Sequence, residues 1–310
     1  MGSIMSDIYL GIEIGGTKIQ IFAGRSSREL AQVERFAVEP GTDGPKLFKR
    51  IIEVCENYLR GHPCRGIGVG FGGPVRDGRV RRSFQIAGWE NFPLGDEMEA
   101  LLGVPVFVDN DANVAAYAEY LHAREIPGGR LFYLTIGSGI GGGFIIDGGI
   151  YRGSHGLGSE IGHLELGQDG RTLEACCSGW ALDRQIKWLT ECDPKSTLKR
   201  YIKRGDKPDA RILKAALEAG DCEAQRILGN WAFRMGYILA HMIYLLHPGV
   251  VILGGGVSLL GSLLIERIQS ELNSRLNEDL VDVPELRVAA LGETVVPCGA
   301  ILYAKQKMER

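Results

Sequence analysis

The sequence lacks an excess of basic residues, a long hydrophobic run and a secretory signal. Its 310 residues include 35 lysines and arginines against 38 aspartates and glutamates, which argues against a strongly basic nucleic-acid-binding protein. The longest apolar stretch, 237–246, is interrupted by His241 and is too short to span a bilayer. No basic segment followed by an apolar core marks the N-terminus, so we expect no secretory signal, and neither nucleic acid nor membrane is a predicted partner.

The number of cysteines is odd, and glycine is plentiful. The seven cysteines are an odd, scattered set, which is typical of reduced thiols, so we expect a cytoplasmic protein. With 45% apolar and 24% charged residues, the chain can form packed cores, and its length suits two moderate domains. The 44 glycines cluster in short runs, where a backbone turns tightly or approaches a ligand closely.

Strand patterns alternate with helical patterns along the chain. Each half begins with a strand, a glycine turn and a second strand, at 8–23 and at 131–146. Further strands are predicted at 66–72, 104–108 and 250–253, and helices are predicted at 45–59, 110–121, 182–189, 210–246 and from 259. This alternation predicts an α/β protein.

Two segments, 68–73 and 137–142, match the dinucleotide pattern G-x-G-x-x-G. A dinucleotide site needs a helix directly after the turn, so that the helix N-terminus faces the pyrophosphate. Pro74 follows the first match and the strand-like segment 143–146 follows the second, so neither is expected to open a helix. A nicotinamide-dependent oxidoreductase is therefore only the second choice of enzyme class.

Glycine turns between strands can bind phosphate in another way, through successive backbone N–H groups that form a concave anion site. Three turns are candidates: 15–16, 137–143 and 254–256. Any one of them can be an ordinary turn, since glycine is the default turn residue. Taken together, the three turns favour a nucleotide-binding protein.

Two groups of polar residues are candidates for chemistry. Asp111 follows a strand and opens a helix, where its carboxylate can act as a general base or cap the helix N-terminus. Glu160 and His163 are three residues apart and would share one face of a helical turn. They can form a local hydrogen-bonded pair or bind a ligand, and the residues alone leave both interpretations open.

Ordered motifs cover nearly the whole chain: 11–18 (GIEIGGTK), 70–75 (GFGGPV), 88–89 (GW), 110–116 (NDANVAA), 139–143 (GIGGG), 160–163 (EIGH) and 248–258. In this order they resemble the ROK family of sugar kinases and sugar-responsive repressors. The resemblance implies the two-domain actin-like ATPase (ribonuclease H-like) fold, an α/β fold with a cleft between the domains. The implied domains are 6–118, with a C-terminal helix at about 297–310 packing back on it, and a larger domain at 119–296.

The resemblance also implies an activity, the ATP-dependent phosphorylation of a hexose hydroxyl by a glucokinase-like enzyme that uses Mg²⁺. Asp111 matches the family's catalytic base. The sugar-binding positions that carry over are Gly72, Asn110, Asp111, Glu160, His163 and Glu174. The nucleotide-binding positions are Gly15, Gly16, Thr17, Lys18, Gly137, Ser138, Gly139, Gly254, Gly255 and Gly256.

Two positions depart from the family pattern. Glu13 stands where an aspartate interacts with magnesium, often through water, and its longer side chain keeps the charge with a shifted geometry. Ser138 replaces the commoner threonine and keeps the hydroxyl. Asp109 matches a usually acidic position, and the sequence assigns it no role.

The substrate and the regulatory alternative remain open from sequence. The motifs do not separate glucose from mannose, fructose, N-acetylmannosamine or N-acetylglucosamine. A non-catalytic sugar-sensing regulator of the same family is the competing class. Such repressors have an N-terminal helix-turn-helix domain, and only seven residues precede the first strand here, so we expect a kinase. A homodimer is usual among similar proteins.

A structural zinc site is predicted to be absent. In the family, the histidine of the EIGH-type motif is followed by a cysteine cluster and then by the sugar-binding glutamate. Here 164–173 contains no cysteine, and Cys176 and Cys177 come after Glu174. With His163 they supply three ligands, whereas a closed zinc site takes four. We expect the two cysteines to pack as small apolar residues.

Overall fold

The computed structural model describes residues 8–26, 29–203 and 207–309. The predicted domain ends at residues 6 and 310 lie outside these residues. The strands are β1 (Tyr9–Ile14), β2 (Lys18–Ser26), β3 (Glu29–Ala37), β4 (Gly66–Phe71), β5 (Val75–Arg76), β6 (Arg79–Val80), β7 (Val106–Asn110), β8 (Arg130–Ile136), β9 (Ile140–Ile146), β10 (Gly149–Ile150), β11 (Val250–Gly254) and β12 (Glu285–Val288). The helices are α1 (Gly44–Leu59), α2 (Leu94–Leu102), α3 (Asp111–His122), α4 (Leu173–Cys177), α5 (Gly179–Cys192), α6 (Ile212–Glu218), α7 (Cys222–Leu246), α8 (Ser262–Arg275) and α9 (Val295–Met308).

Two five-stranded sheets organise the chain. The first has the order β3-β2-β1-β4-β7, in which β1, β4 and β7 are parallel and β2 is antiparallel to both of its neighbours. The second has the order β10-β9-β8-β11-β12, in which β8, β11 and β12 are parallel and β10 is antiparallel to β9. Each sheet thus contains a parallel set whose carboxyl ends meet at one edge, the position where α/β sheets bind ligands.

The chain divides into two compact units. The first contains residues up to 125, together with 143–159 and the C-terminal residues from 290 onward. The second contains 126–142 and 160–289. The domain limits expected from sequence, 6–118 with the C-terminal helix and 119–296, stay a prediction.

The first unit is held together by helix α9, which packs on its sheet. A Cβ at Gly11 in β1 would collide with the backbone oxygen of Pro297, and one at Gly68 in β4 with that of Ala300. Glycine at both positions lets the helix backbone approach the sheet closely. Gly68 opens the first G-x-G-x-x-G match, so that match has a packing explanation, and Gly73 at its end is followed by β5.

The buried core of the first unit combines aliphatic side chains with the aromatic rings of Phe71 and Trp89. Strands β1 and β4 are buried along their whole length, and the amphipathic helix α1 adds Leu47, Ile51 and Cys55 to the same cluster. In the second unit, Trp231 of α7 is 2% exposed. Among the described residues, no helix combines the length and the apolar character that crossing a membrane requires.

Candidate functional site

The carboxyl ends of β1, β4 and β7 gather part of the predicted site in the first unit. A Cβ built at Gly72, directly after β4, would lie 3.4 Å from the Asp111 carboxylate and 3.5 Å from the Cα of Gly15. The Gly72 N–H donates to the carbonyl of Ile14 at the end of β1, at 2.8 Å. The structure therefore brings Gly72, Asp111 and the glycine turn after β1 together, as parallel topology requires.

Asn110 and Asp111 form the junction between β7 and α3. Asn110 is the helix N-cap, and its side-chain oxygen accepts from the Asn113 N–H at 3.2 Å. Its amide nitrogen also donates to the Gly73 carbonyl at 3.1 Å. Asp111 is the first helical residue and is half-buried, and its Oδ1 accepts from the Ala112 N–H at 2.8 Å. Because Asn110 supplies the cap, the interpretation of Asp111 as the N-cap does not hold.

Asp109, which the sequence left without a role, is 4% exposed and lies under this junction. Its Oδ1 accepts from the Asn110 N–H at 2.7 Å and from the Asn113 side-chain amide at 2.9 Å. Its Oδ2 accepts from Nε of Arg152 at 3.1 Å and also from Nη2 of the same guanidinium. A buried carboxylate needs such partners, since an unpaired charge in the interior is costly.

Glu13 is a buried acid in the middle of the first hairpin. It is 9% exposed, and its Oε2 accepts from the Gln20 amide at 2.6 Å and lies 3.5 Å from Nζ of Lys18. Burial raises the pKa of Glu13, and the neighbouring Lys18 and the hydrogen bond from Gln20 lower it, with a net rise. Burial therefore outweighs the two neighbouring donors in setting the pKa of Glu13.

The turn between β1 and β2 contains Gly15, Gly16 and Thr17, which precede Lys18. The Gly15 N–H donates to the Lys18 carbonyl at 3.1 Å, and the Thr17 carbonyl accepts from Val38 at 2.9 Å. A Cβ at Gly16 would overlap the side-chain amide of Gln85. The Gln85 side chain therefore packs directly over Gly16.

In the second unit the structure brings together the three predicted sugar-binding residues. Glu160 precedes the short 3₁₀ turn 161–163, and its carbonyl accepts from the His163 N–H at 3.2 Å. Glu160 is accessible to solvent, yet burial by the surrounding protein raises its pKa, His163 lowers it and Glu174 raises it. Glu160, His163 and Glu174 are therefore close enough to interact electrostatically, with a net rise in the pKa of Glu160.

Glu174 links this group to the glycine turns of the second unit. Its Oε2 accepts from the Ile140 N–H at 2.8 Å, and a Cβ at Gly139 would collide with its carboxylate. The Gly137 N–H donates to the Gly139 carbonyl at 2.9 Å, so the segment that contains Ser138 forms a tight turn between β8 and β9.

The turn after β11, at Gly254–Gly256, lies beside the turn after β8. A Cβ at Gly255 would be 2.5 Å from the carbonyl of Ile136, and φ of Gly255 is 79°, a conformation that favours glycine. The Ser258 hydroxyl donates to the Gly255 carbonyl at 2.7 Å. The two predicted phosphate turns of this unit are thus neighbours, as expected from the parallel pairing of β8 with β11.

Cysteines 176 and 177 end α4. Cys177 is fully buried, and burial raises the pKa of its thiol to about 12. Its carbonyl accepts from the indole Nε1 of Trp231 at 2.7 Å. In the part of the chain that the structure describes, no three His, Cys, Asp or Glu side chains are grouped so that they could hold a metal ion.

Three residues of these sites were not predicted from sequence. Gln20 could have been found, because a tight turn after Ile14 sets the hairpin register that pairs it with Glu13. Gln85 and Arg152 have no local signal, since they reach their partners from distant segments of the chain.

Comparisons with known proteins agree with this architecture. The model of the ROK family matches residues 9–307. A glucokinase of Halalkalibacterium halodurans is 28% identical and covers 96% of this chain and 95% of its own length. A glucokinase of Streptomyces coelicolor is 31% identical, with 96% and 97% covered.

A solved structure gives the same result for the fold. The crystal structure of a ROK family glucokinase from Streptomyces griseus in complex with glucose and AMPPNP superposes with a TM-score of 0.84 at 28% identity, covering 96% of this chain and 99% of that one. The predicted α/β architecture of the actin-like ATPase class is confirmed. Because the family model extends over almost the entire chain, this protein belongs to the ROK family.

Proposed function

We propose that this protein is an ATP-dependent sugar kinase of the glucokinase type, which transfers the γ-phosphoryl group of ATP to a hexose hydroxyl. The observation on which the proposal depends is the position of Asp111, a half-buried carboxylate against Gly72, which itself contacts the glycine turn after β1. The glucokinases that match nearly the full chain support the same activity.

Asp111 serves as the general base in this proposal. As the hydroxyl oxygen of the sugar bonds to the γ-phosphorus, the bond to the ADP oxygen breaks, and Asp111 accepts the hydroxyl proton. Asn110, whose side chain caps α3, is held beside Asp111 to contact a sugar hydroxyl. The capped helix N-terminus fixes the direction of both side chains.

Glu160, His163 and Glu174 form the sugar-binding group of the second unit. Carboxylates and imidazole donate or accept several hydrogen bonds, which suits a polyol and discriminates against analogues that lack a hydroxyl. The contact of Glu174 with Gly139 and Ile140 places this group beside the turn 137–139, where we place nucleotide phosphate. The adjacent turn Gly254–Gly256 adds backbone N–H groups to the same phosphate site.

Thr17 and Lys18, with the glycine turn before them, form the phosphate site of the first unit. Glu13 fits the magnesium of ATP·Mg²⁺, because it is a carboxylate near the end of β1 whose Oε1 would lie 3.7 Å from a Cβ built at Gly15, in the adjacent glycine turn. Magnesium usually keeps several waters and takes only one or two protein carboxylates, so a single glutamate that acts through water is sufficient. Bound there, the ion would neutralise phosphate charge.

Further parts of the proposal come from the family resemblance. They are a homodimeric assembly, a cytoplasmic location and glucose as the preferred hexose. Mannose, fructose, N-acetylmannosamine and N-acetylglucosamine are the alternative substrates. A non-catalytic sugar sensor is the alternative of another class, and an active-site base is the feature that separates a kinase from it.

The test is the substitution Asp111→Asn. It keeps the size of the side chain and removes the proton acceptor, so turnover should fall ~10²–10⁴-fold while hexose still binds. ADP release with ATP·Mg²⁺ measures turnover, and the change in tryptophan fluorescence on adding glucose measures binding. Asp282→Asn, at an exposed aspartate, is the matched control and should keep full activity. An Asp111→Asn variant with most of its turnover would assign the base elsewhere.

A further inference from the structure

We propose that Arg152 is a positioning residue for the base Asp111, and that it acts through the buried carboxylate of Asp109. The inference rests on the proposed function, because it takes Asp111 as the base. Arg152 lies in the segment 143–159 of the first unit, far in sequence from the junction that it would hold.

The Asp109 carboxylate holds two groups at the strand-to-helix junction. Its Oδ1 accepts from the backbone N–H of Asn110 and from the side-chain amide of Asn113. Asn110 is the last residue of β7, and Asn113 lies in the first turn of α3. One carboxylate thus fixes the backbone before Asp111 and the helical turn after it, so its position determines the direction of the Asp111 side chain.

The Asp109 carboxylate is in turn held by Arg152. Two N–H groups of the Arg152 guanidinium, Nε at 3.1 Å and Nη2, donate to Oδ2, the oxygen that the junction does not use. The same guanidinium donates to the Tyr303 hydroxyl at 3.2 Å and to the Ile150 carbonyl at 3.3 Å. Arg152 therefore joins the strand-to-helix junction to β10 and to helix α9.

The surroundings of Arg152 and Tyr303 determine the protonation of both side chains. Burial lowers the pKa of Arg152, but the adjacent Asp109 carboxylate raises it, and the net result is a rise, so the guanidinium remains charged. Burial and Asp109 together raise the pKa of Tyr303 to about 12, so the hydroxyl remains protonated. A planar guanidinium donates several bonds in fixed directions, which a lysine ammonium does not, so the site requires arginine.

A buried ion pair can also serve stability alone, and the experiment must separate the two roles. Arg152→Gln leaves Asp109 charged and unpaired, so we expect both a lower Tm and a lower kcat. A misplacement of about 1 Å can cost on the order of 100-fold in rate, so kcat should fall ~10- to 100-fold. The KM values for glucose and ATP should stay within about threefold of wild type, since neither ligand contacts Arg152 in this proposal.

The double variant Asp109→Asn/Arg152→Gln decides between the roles. It removes both charges, so Tm should return toward the wild-type value. If Arg152 positions the base, kcat stays low, because the guanidinium that bonded to residue 109 through two N–H groups is gone. If kcat recovers together with Tm, the pair is only structural and the inference is overturned. The same conclusion follows if Arg152→Gln has wild-type kcat, or if glucose KM rises with kcat unchanged.

Two further variants complete the series. Arg152→Lys keeps the positive charge but lacks the planar guanidinium, so it should give an intermediate kcat with near-normal Tm. This variant keeps the test informative if Arg152→Gln folds poorly. Arg287→Gln is the matched control, because its arginine side chain is 30% exposed against 35% for Arg152 and pairs with a carboxylate in the second unit. It should leave kcat unchanged.

Failure of the base assignment is measured separately. Asp111→Asn is assayed in parallel by ADP release. If that variant keeps turnover, the proposed function of Asp111 is wrong, whatever Arg152 does. If it loses turnover while Arg152→Gln keeps it, only the positioning role is wrong.

Discussion

At the scale of single residues, the buried acids Asp109 and Glu13 and the exposed acid Glu160 differ in their partners. Asp109 has a full guanidinium partner, whereas Glu13 has a lysine at 3.5 Å and an amide. Glu160 has a nearby histidine and also a second carboxylate, Glu174. We therefore expect Asp109 to hold the strand-to-helix junction, and Glu13 and Glu160 to bind a cation or a hydroxyl.

The raised pKa of Glu160 leads to a prediction about stability and pH. An acid with a raised pKa binds its proton more tightly in the folded state, so its ionisation destabilises the fold as pH rises from about 4.5 through the raised value. Glu160→Gln should therefore raise Tm at pH 7.5, and the gain should shrink as pH falls toward 4.5. Thermal unfolding between these pH values measures it.

The same substitution should impair sugar use. Glutamine replaces an ionised acceptor with a neutral amide, so glucose KM should rise about tenfold, equivalent to the loss of roughly 1.4 kcal/mol. Glu165→Gln, at an exposed glutamate nearby in sequence, is the control and should change neither quantity. A Glu160→Gln protein with lower Tm at pH 7.5 would contradict the electrostatic argument.

At the scale of elements, hydrophobic periodicity predicted much of the secondary structure, and capping chemistry explains two of the differences. Helix α1 was predicted from residue 45 and begins at Gly44, because Asp43 caps it by accepting from the Lys46 N–H at 3.0 Å. The pattern at 210–246 was interpreted as continuous helix, but α6 ends near Gly220, whose φ is 74°, and Asp221 caps a new helix, α7. Glycine followed by aspartate is the local signal for this break.

The sequence predicted the site less completely than the elements. Motif residues at strand ends were predictable because parallel strands place their carboxyl ends at one edge. The contacts of Arg152 with Asp109 span 43 positions and join a loop to a strand, so no periodicity indicates them. No periodicity indicates the contact of Gln85 with Gly16 either, because it depends on how a separate segment folds over the turn.

The segment 164–178 supports a prediction about metal content. Cys177 is buried with its carbonyl bonded to Trp231, so its side chain packs in the interior of the second unit. We expect purified protein to contain well under one equivalent of zinc and to keep its activity after treatment with a chelator. Elemental analysis of protein purified without chelator measures the metal directly. Near-stoichiometric zinc, or loss of Tm after chelation, would contradict the prediction.

At the scale of the whole molecule, residues distant in sequence complete each compact unit. The first unit includes 143–159, where a Cβ at Gly143 would collide with the carbonyl of Ala112, so α3 approaches this segment closely. It also includes the C-terminal residues, and the buried Glu119 accepts from the N–H groups of Ala290 and Leu291 at 3.1 and 2.9 Å. These contacts join segments that are distant in sequence. The limits of a compact unit are therefore harder to predict from sequence than its helices and strands.

Ligand binding should be visible as stabilisation of the entire chain. A ligand that binds only the folded state stabilises it by about 2.7 kcal/mol at a hundredfold excess over Kd. Among glucose, mannose, fructose, N-acetylmannosamine and N-acetylglucosamine, we expect glucose to give the largest increase in Tm and the highest kcat/KM in ADP release. Sorbitol at the same concentration controls for general osmolyte effects and should leave Tm nearly unchanged. Because Asp111→Asn removes the proposed base and leaves the proposed sugar-binding group of the second unit intact, it should retain the glucose-induced increase in Tm while ADP release is lost. A larger shift and faster turnover with an amino sugar would reassign the substrate but keep the kinase. If no sugar shifts Tm or releases ADP, the proposed activity itself is wrong.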